Sequence, residues 1–283
     1  FVVLEIANNH MGDFKHGKRL ILALSKVVRA YTDIFDFGIK FQFRELDTFI
    51  HPDHRGSSLK YVKRFEETIL SNEEWQDLFS LVKMEEFTLV ATPFDESSVQ
   101  KCIENNVDII KIASCSLADW PLIECVARTG RPVIFSTAGS NIESIDAMIS
   151  FFSNRGIDAS LMHCVGIYPT PDESLNIGQI RFFKNRYPHN KVGYSTHEDP
   201  SHLETGGLAI ALGAQILEKH VGLPSADYQN NAYSVTPDQL GSWLEVARRA
   251  VCMIGEKEKK ASNSKKEVDS LRDLQRGVFA RKS

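Results

Sequence analysis

The feature that most restricts the fold of this sequence is a regular alternation of eight short, β-rich apolar runs with longer amphipathic segments. The runs occupy residues 2–7, 37–43, 88–94, 109–114, 132–138, 159–165, 192–197 and 216–221. Strands that alternate with helices form parallel sheets, and eight such units in 283 residues fit a closed barrel better than an open sheet. No GxGxxG motif follows the first run, so the usual dinucleotide-binding signature is missing. We therefore predict a (β/α)8 TIM barrel over residues 1–255.

The composition argues against several classes of protein. A net charge of −4 and an isoelectric point near 6.2 do not provide the basic surface on which general nucleic-acid binding depends. No apolar run reaches the roughly 18 residues that span a bilayer, and no signal-peptide pattern is present. Five cysteines without a CxxC pair are typical of reduced thiols. We expect a cytoplasmic protein that binds neither nucleic acid nor membrane.

Residues 192–221 read as a strand, a helix over residues 203–212 and a second strand, with His197 and His220 at the strand ends. In a βαβ unit the two strands are parallel, so both histidines emerge at the same edge of the sheet. They could hold one metal ion there. Alternatively, each is an ordinary histidine bonded to a loop carbonyl.

Two lysines, Lys40 and Lys111, lie inside strands that otherwise look buried. A buried ammonium group needs a partner, which could be a carboxylate in the barrel, such as Glu5 or Glu218, or an anionic ligand. Serines at neighbouring strand ends would add hydroxyl donors for a phosphate or carboxylate group. The longest insertion, residues 44–71, follows the second run, and long loops on compact barrels are more often functional than idle.

Eight motifs in series resemble the sialic acid synthase family, which comprises the N-acetylneuraminate synthases and relatives in spore-coat and surface-polysaccharide synthesis. They are EIANNHMG at 5–12, KFQF at 40–43, ATPFD at 91–95, KIAS at 111–114, STAG at 136–139, HCVGIYPTP at 163–171, GYSTHE at 193–198 and EKHV at 218–221. The resemblance implies a metal-dependent TIM barrel that condenses phosphoenolpyruvate with an N-acetylated hexosamine. The products would be a nine-carbon 2-keto-3-deoxy sugar acid and phosphate, and the protein would be a homodimer.

The resemblance also implies roles for individual residues. His197 and His220 would bind a divalent metal, Mn²⁺ or Mg²⁺. Gln42 and Tyr168 would face the sugar, and Glu5 would transfer protons or position water; with Lys40, these three would form the catalytic group. The residues implied to hold phosphoenolpyruvate are Lys40, Thr92, Lys111, Ser114, Ser136 and Ser195.

Two departures from the family pattern lead us to expect a different acceptor sugar. Asn230 stands where the family usually has an aspartate after the second metal histidine, with Asp227 as a possible substitute. Gly166 stands where the family has a polar side chain. Beyond the barrel, residues 256–266 read as a charged linker, and the remaining residues to 283 resemble the passage into an antifreeze-like domain. We expect that domain to be absent from this chain.

Two alternative functions fit the same barrel. In a Schiff-base aldolase, Lys111 or Lys219 would be the nucleophile, and the histidine pair would have no role. In a non-catalytic sugar-binding barrel, the altered acceptor residues would reflect a loss of activity.

Overall fold

The computed structural model describes residues 1–256, 259–278 and 281, and its architecture is a closed barrel of eight parallel strands in sequence order. The strands are β1 (Val2–Ala7), β2 (Phe37–Phe43), β3 (Thr88–Pro93), β4 (Ile109–Ile112), β5 (Val133–Ser136), β6 (Ala159–Cys164), β7 (Val192–Thr196) and β8 (Ile216–His220). Pairing of β8 with β1 closes the barrel. The predicted (β/α)8 barrel is confirmed, and each predicted strand end lies within two residues of the observed one.

Helices follow every strand and surround the barrel. They are α1 (Phe14–Val28), α2 (Leu46–Phe49), α3 (Lys60–Glu67), α4 (Asn72–Met84), α5 (Glu96–Glu104), α6 (Trp120–Arg128), α7 (Ile142–Ser153), α8 (Gln179–Arg186), α9 (Thr205–Ala211), α10 (Pro237–Ile254) and α11 (Lys265–Arg272). Short polar side chains define many helix starts by accepting hydrogen bonds from the first turn. Ser71 with Glu74, and Thr236 with Gln239, form reciprocal capping boxes at α4 and α10.

The strands separate two cores because successive side chains point to opposite faces. Outward residues such as Phe41 and Phe135 pack against the helices in one large apolar cluster. Inside the barrel, a small apolar cluster of Val3, Ile134, Met162 and Ile216 fills the N-terminal end. The inward residues nearer the C-terminal ends of the strands are polar. This change from apolar to polar layers creates a polar chamber at the barrel mouth.

Gly193 shows how tightly the lower layer is packed. A Cβ atom at this position would lie 2.7 Å from the carbonyl oxygen of Ile216 and 3.0 Å from the terminal methyl of Met162. Only glycine allows β7 and β8 to approach this closely while Met162 fills the centre.

The insertion after β2 is folded rather than extended, since it contains α2, α3 and a 3-10 turn at Pro52–His54. At the other end of the chain, α11 begins within the predicted linker and has no buried residue. Residues 257, 258, 279, 280, 282 and 283, which belong to the predicted linker segment 256–283, lie outside the described residues. Within the described ranges, no helix has both the length and the apolar character needed to cross a membrane.

Candidate active site

Two lysines and two glutamates form a charge network inside the barrel. The ammonium of Lys40 contacts Glu5 and lies 3.3 Å from Oε1 of Glu218, and Lys111 Nζ lies 2.8 Å from Oε2 of Glu218. All four side chains are buried. The expected lysine partners therefore include carboxylates of the barrel itself, and Glu218, which the sequence offered only as a structural partner, is the centre of the network.

Burial and mutual attraction oppose each other in this network. Burial alone would raise the pKa of Glu218, but the charges of Lys111 and Lys40 hold this pKa well below its usual range. Burial lowers the pKa of Lys40 to about 8, although Glu218 favours its charged form. At neutral pH the Lys40 ammonium and the Glu218 carboxylate are therefore both charged.

Hydroxyl groups surround these charges. Thr92 Oγ1 accepts a hydrogen bond from Lys40 Nζ over 3.3 Å, and Ser195 Oγ donates to Glu218 Oε1 over 3.2 Å. Ser114 Oγ, two residues beyond the end of β4, accepts a hydrogen bond from the backbone N–H of Ala138 over 3.0 Å. Ser136 ends β5, where it is buried. The structure therefore brings Thr92, Ser114 and Ser195 into contact with the network or the strand ends beside it.

Cys164 is a member of this cluster that sequence reasoning missed. Its thiol forms hydrogen bonds with Ser114 and Ser195, and burial raises its pKa. Strand alternation could have revealed it. His163 faces outward, where its Nε2 lies 2.8 Å from the carbonyl oxygen of Leu175, so the next residue of β6 must face inward.

The two histidines predicted to bind metal lie side by side above the charge network. Their ring centroids are 5.2 Å apart. Burial lowers the pKa of His197 to about 4 and holds that of His220 well below its usual range. Both imidazoles are therefore neutral at pH 7, the form in which histidine binds metals.

The histidine pair fits a divalent metal ion in part. His197 Nδ1 lies 2.9 Å from the carbonyl oxygen of Val165. This contact fixes the ring and leaves Nε2 as the atom that could coordinate a metal ion. His220 Nδ1 is buried, and no hydrogen-bond partner for it occurs among the described residues. Within the described ranges, no third His, Cys, Asp or Glu lies where it would complete a set of three metal ligands with the two histidines. Among the described residues the pair could therefore supply two ligands to a metal ion, and any others would be water or substrate oxygens.

Two tyrosines border the histidine pair. The ring of Tyr168 lies 4.3 Å from that of His197, and the ring of Tyr233 lies 5.0 Å from that of His220, with 5.2 Å between the tyrosines. Tyr168 is half-exposed at the barrel mouth, where an acceptor sugar could reach it. Tyr233 was not predicted, because the conformation of the loop after β8 brings it there and no local sequence pattern marks it.

Gln42 connects the network to the insertion. Its Nε2 donates to Glu5 Oε1 over 3.4 Å, and its Oε1 accepts from Arg44 Nη2 over 2.9 Å. Gln42 and Arg44 line a cavity of about 230 Å³ that lies between the loop after β1, the end of β2 and α4. A larger cavity of about 760 Å³ lies at the N-terminal end of the barrel, whereas chemistry in TIM barrels occurs at the C-terminal end.

The positions that depart from the family pattern have distinct environments. The amide of Asn230 donates to the carbonyl of Ser234 over 3.4 Å and fills the space beside Gly222, so it supports its own loop. Asp227 is exposed. Within the described ranges, neither side chain forms a hydrogen bond or an ion pair with His197 or His220. At Gly166, an added Cβ atom would meet only Ala138, at 3.8 Å.

The suggestion that Lys219 could act as a nucleophile in the barrel is wrong. Lys219 is fully buried on the outer side of β8, where its Nζ lies 2.7 Å from Glu198 Oε1 and 5.9 Å from the ring centre of Trp243 in α10. Because strand residues alternate, Glu218 and His220 face the barrel interior and Lys219 faces the helices.

Comparisons with known proteins agree with this architecture. The sequence matches the NeuB family over residues 30–259. A Chromobacterium violaceum protein described as a spore coat polysaccharide biosynthesis protein E is 48% identical, with a TM-score of 0.95 over 99% of this chain and 82% of that one.

Two further relatives carry more specific names. The N-acetylneuraminic acid synthetase of Leptospira borgpetersenii, solved with citrate, is 26% identical, with a TM-score of 0.82 over 96% of this chain and 91% of that one. The N,N'-diacetyllegionaminic acid synthase of Campylobacter jejuni is 25% identical over 293 residues, which cover 99% of this chain and 84% of that protein. These matches confirm the resemblance to sialic acid synthases, and this chain belongs to the NeuB family.

Proposed function

We propose that this protein condenses phosphoenolpyruvate with an aldose, N-acetylmannosamine or a related amino sugar, to give a sialic-type 2-keto-3-deoxy acid and phosphate. The observation that carries the proposal is the arrangement of Lys40 and Lys111, with their hydroxyl neighbours, directly below the neutral histidines at the barrel mouth. Relatives named as synthases of N-acetylneuraminic and diacetyllegionaminic acids support the product class.

The lower part of the chamber suits the donor. Phosphoenolpyruvate carries a phosphate and a carboxylate, which ammonium groups and hydroxyl donors recognise. Lys40 and Lys111, with Thr92, Ser114, Ser136 and Ser195, supply both kinds of group. Because Glu5 and Glu218 already contact the lysines, the donor must compete with them, and we expect these carboxylates to limit its affinity.

The upper part of the chamber suits the acceptor. We propose that His197 and His220 hold a divalent metal, Mn²⁺ or Mg²⁺, which when bound would act as a Lewis acid on the sugar aldehyde. Tyr168 and Gln42 would hold the sugar beside the histidines.

The residues of the chain would then bring the reactants together and accept the proton of the attacking water. C3 of phosphoenolpyruvate attacks the aldehyde carbon, and water adds at C2. The bond from C2 to the phosphate oxygen then breaks, so that C2 becomes a ketone and phosphate leaves. The two protons of the water end on the former aldehyde oxygen, now a hydroxyl, and on the departing phosphate. Glu5 is within the network and next to Gln42, so it is our candidate for the base that takes the proton of that water. Lys40, in contact with Glu5, would stabilise the carboxylate before the transfer.

The Schiff-base alternative requires a neutral lysine amine. Lys111 Nζ is engaged by the Glu218 carboxylate at 2.8 Å, and Lys219 lies on the outer side of the barrel. Borohydride reduction in the presence of substrate would trap such an intermediate on a lysine, and we expect no trapped adduct.

The direct test is phosphate release from phosphoenolpyruvate across a panel of N-acetylhexosamines, hexoses and pentoses, with added Mn²⁺. We expect release with at least one amino sugar and its loss on chelation. Lys111→Ala should weaken phosphoenolpyruvate binding on the order of ten- to a hundredfold, since one charge-assisted contact is lost. No release with any aldose would favour the non-catalytic sugar-binding barrel.

A further inference from the structure

Arg44, immediately beyond β2, is held in an unusual environment for a cation. Its guanidinium carbon lies 3.7 Å from the ring centre of Phe94 and 4.0 Å from that of Phe65 in α3. In the described part of the chain, no carboxylate lies within ion-pair distance of it. Burial lowers the pKa of Arg44 to about 10, so the group stays protonated at neutral pH. The aromatic faces thus take the place of a counter-ion in holding the side chain.

The bond from Arg44 determines which way the amide of Gln42 points. A guanidinium group only donates hydrogen bonds, so the group facing Arg44 Nη2 at 2.9 Å must be the amide oxygen. The amide nitrogen then faces Glu5, whose Oε1 lies 3.4 Å away. Both ends of the amide are engaged, and one N–H of Nε2 remains available.

We propose that Arg44 is a positioning residue that fixes the Gln42 amide, so that Gln42 offers an N–H donor rather than a carbonyl oxygen to the acceptor sugar. This inference rests on the proposed function, in which Gln42 faces that sugar. It makes the site selective for acceptors that place an oxygen lone pair, from a hydroxyl or an amide carbonyl, against Gln42.

Arg44 belongs to the insertion after β2, so the proposal gives that segment a specific role in positioning Gln42. Phe65 belongs to α3 of the insertion, while Phe94 follows β3, so the guanidinium group is fixed only when the insertion is folded against the barrel. A glutamine side chain has three rotatable bonds, and holding its end in place before binding lowers the entropy cost of recognition.

The kinetic test compares Arg44→Met with a matched control, Arg55→Met. Arg55 belongs to the same insertion but is exposed and pairs with Asp47 at 3.3 Å. We expect Arg44→Met to raise KM for the aldose about tenfold, as for the loss of one hydrogen bond from a charged group. The dissociation constant for phosphoenolpyruvate should not change, and Arg55→Met should alter neither quantity. In Arg44→Lys, KM for the aldose should lie between the values of Arg44→Met and the unsubstituted protein.

A double-variant experiment with Gln42 distinguishes a positioning role of Arg44 from a general effect on the structure. In a Gln42→Ala background, Arg44→Met should add no further increase in KM, whereas independent contributions would add. If Arg44→Met does not fold, Gln42→Glu serves instead, because it keeps the bond to Arg44 while replacing the amide donor by an oxygen. A Gln42→Glu protein with unchanged KM for the aldose would overturn the inference, as would additive effects.

A measurement without turnover keeps this test apart from the proposed function. We expect the side-chain ¹⁵NH₂ resonances of Gln42 to be shifted in the unsubstituted protein and to move to solvent-like values in Arg44→Met. Resonances unaffected by Arg44→Met would overturn the positioning role even if the protein is an active synthase. Absence of phosphate release with shifted resonances would contradict the synthase while leaving the effect of Arg44 on Gln42 in place.

Discussion

His197 and His220 are the residues on which the proposed metal-dependent mechanism rests. Each supplies one neutral imidazole, and no third protein ligand joins them among the described residues. We expect His197→Ala or His220→Ala to abolish Mn²⁺ binding measured by calorimetry, because one remaining ligand binds weakly. Thermal unfolding should be little changed, since both residues lie at strand ends. His189→Ala, an exposed histidine, is the control. Full Mn²⁺ affinity in either variant would contradict the assignment.

His10 makes the stability of the fold depend on pH. Its Nδ1 accepts a hydrogen bond from the backbone N–H of Gly12 over 3.2 Å, and burial lowers its pKa from 6.5 to about 3. Between these values the unfolded chain binds a proton that the folded chain does not. Stability from this residue is therefore complete above pH 6.5 and falls as the pH decreases through that window.

Urea unfolding between pH 4.5 and 6.5 tests this effect. His10→Gln removes the titrating group, so the slope of unfolding free energy against pH should decrease by up to about 1.4 kcal/mol per pH unit. His189→Gln, which replaces an exposed histidine, is the matched control. Parallel profiles for His10→Gln and the unsubstituted protein would show that protonation of His10 does not contribute.

At the scale of elements, β7 and β8 are joined on their outer side by the buried pair of Glu198 and Lys219. Glu198 follows His197 and Lys219 precedes His220, so the ion pair holds together the strand ends that carry the histidines. Glu198 Oε2 and Trp243 Nε1 are buried nearby, with no hydrogen-bond partner among the described residues. The pair is therefore in a setting where an unpaired charge would be costly.

We expect Lys219→Met to reduce the free energy of unfolding by about 3–5 kcal/mol, because Glu198 would remain buried without its counter-ion. The double variant Lys219→Met with Glu198→Leu should recover much of the loss. Lys191→Met is the matched control, since Lys191 pairs with Asp158 at 3.8 Å on the surface and should contribute about 1 kcal/mol or less. Chemical denaturation measures all three, and equal losses for Lys219→Met and Lys191→Met would contradict this account.

Alternation within strands explains which site residues could be predicted. The apolar runs determine the strands, and the polar residues at their ends converge because all eight strands are parallel. The same period of two could have placed Cys164 and Glu218 inside and Lys219 outside. Ser114 and His197 lie just beyond β4 and β7, where the chain already turns.

Contacts made by loops could not be predicted in the same way. Tyr233 reaches His220, and Arg44 reaches Phe94, through loop conformations that depend on packing between distant segments. The helix α11 was also missed, because its sequence is charged and buries nothing that would mark an amphipathic pattern.

At the scale of the whole molecule, burial divides the chain into a protected barrel and an exposed C-terminal helix. The core strands are almost completely buried, whereas α11 has no buried residue. We expect amide hydrogens of α11 to exchange within seconds and those of β1, β2 and β8 only through global or sub-global unfolding. Hydrogen exchange followed by mass spectrometry measures both. Comparable protection of α11 and the strands would indicate that α11 packs against another surface.

Gly166 offers a route to altering this protein by design. Most positions lining a closed barrel resist enlargement because neighbouring atoms already fill the space. At Gly166 the nearest atom to an added Cβ is 3.8 Å away, and the position precedes Tyr168 by two residues. A library of polar residues at this single site should therefore be tolerated, with Gly166→Asn keeping the melting temperature within a few degrees. Under the proposed function, screening such a library against a panel of aldoses would show whether the open space at Gly166 can be used to change the preference for the acceptor sugar.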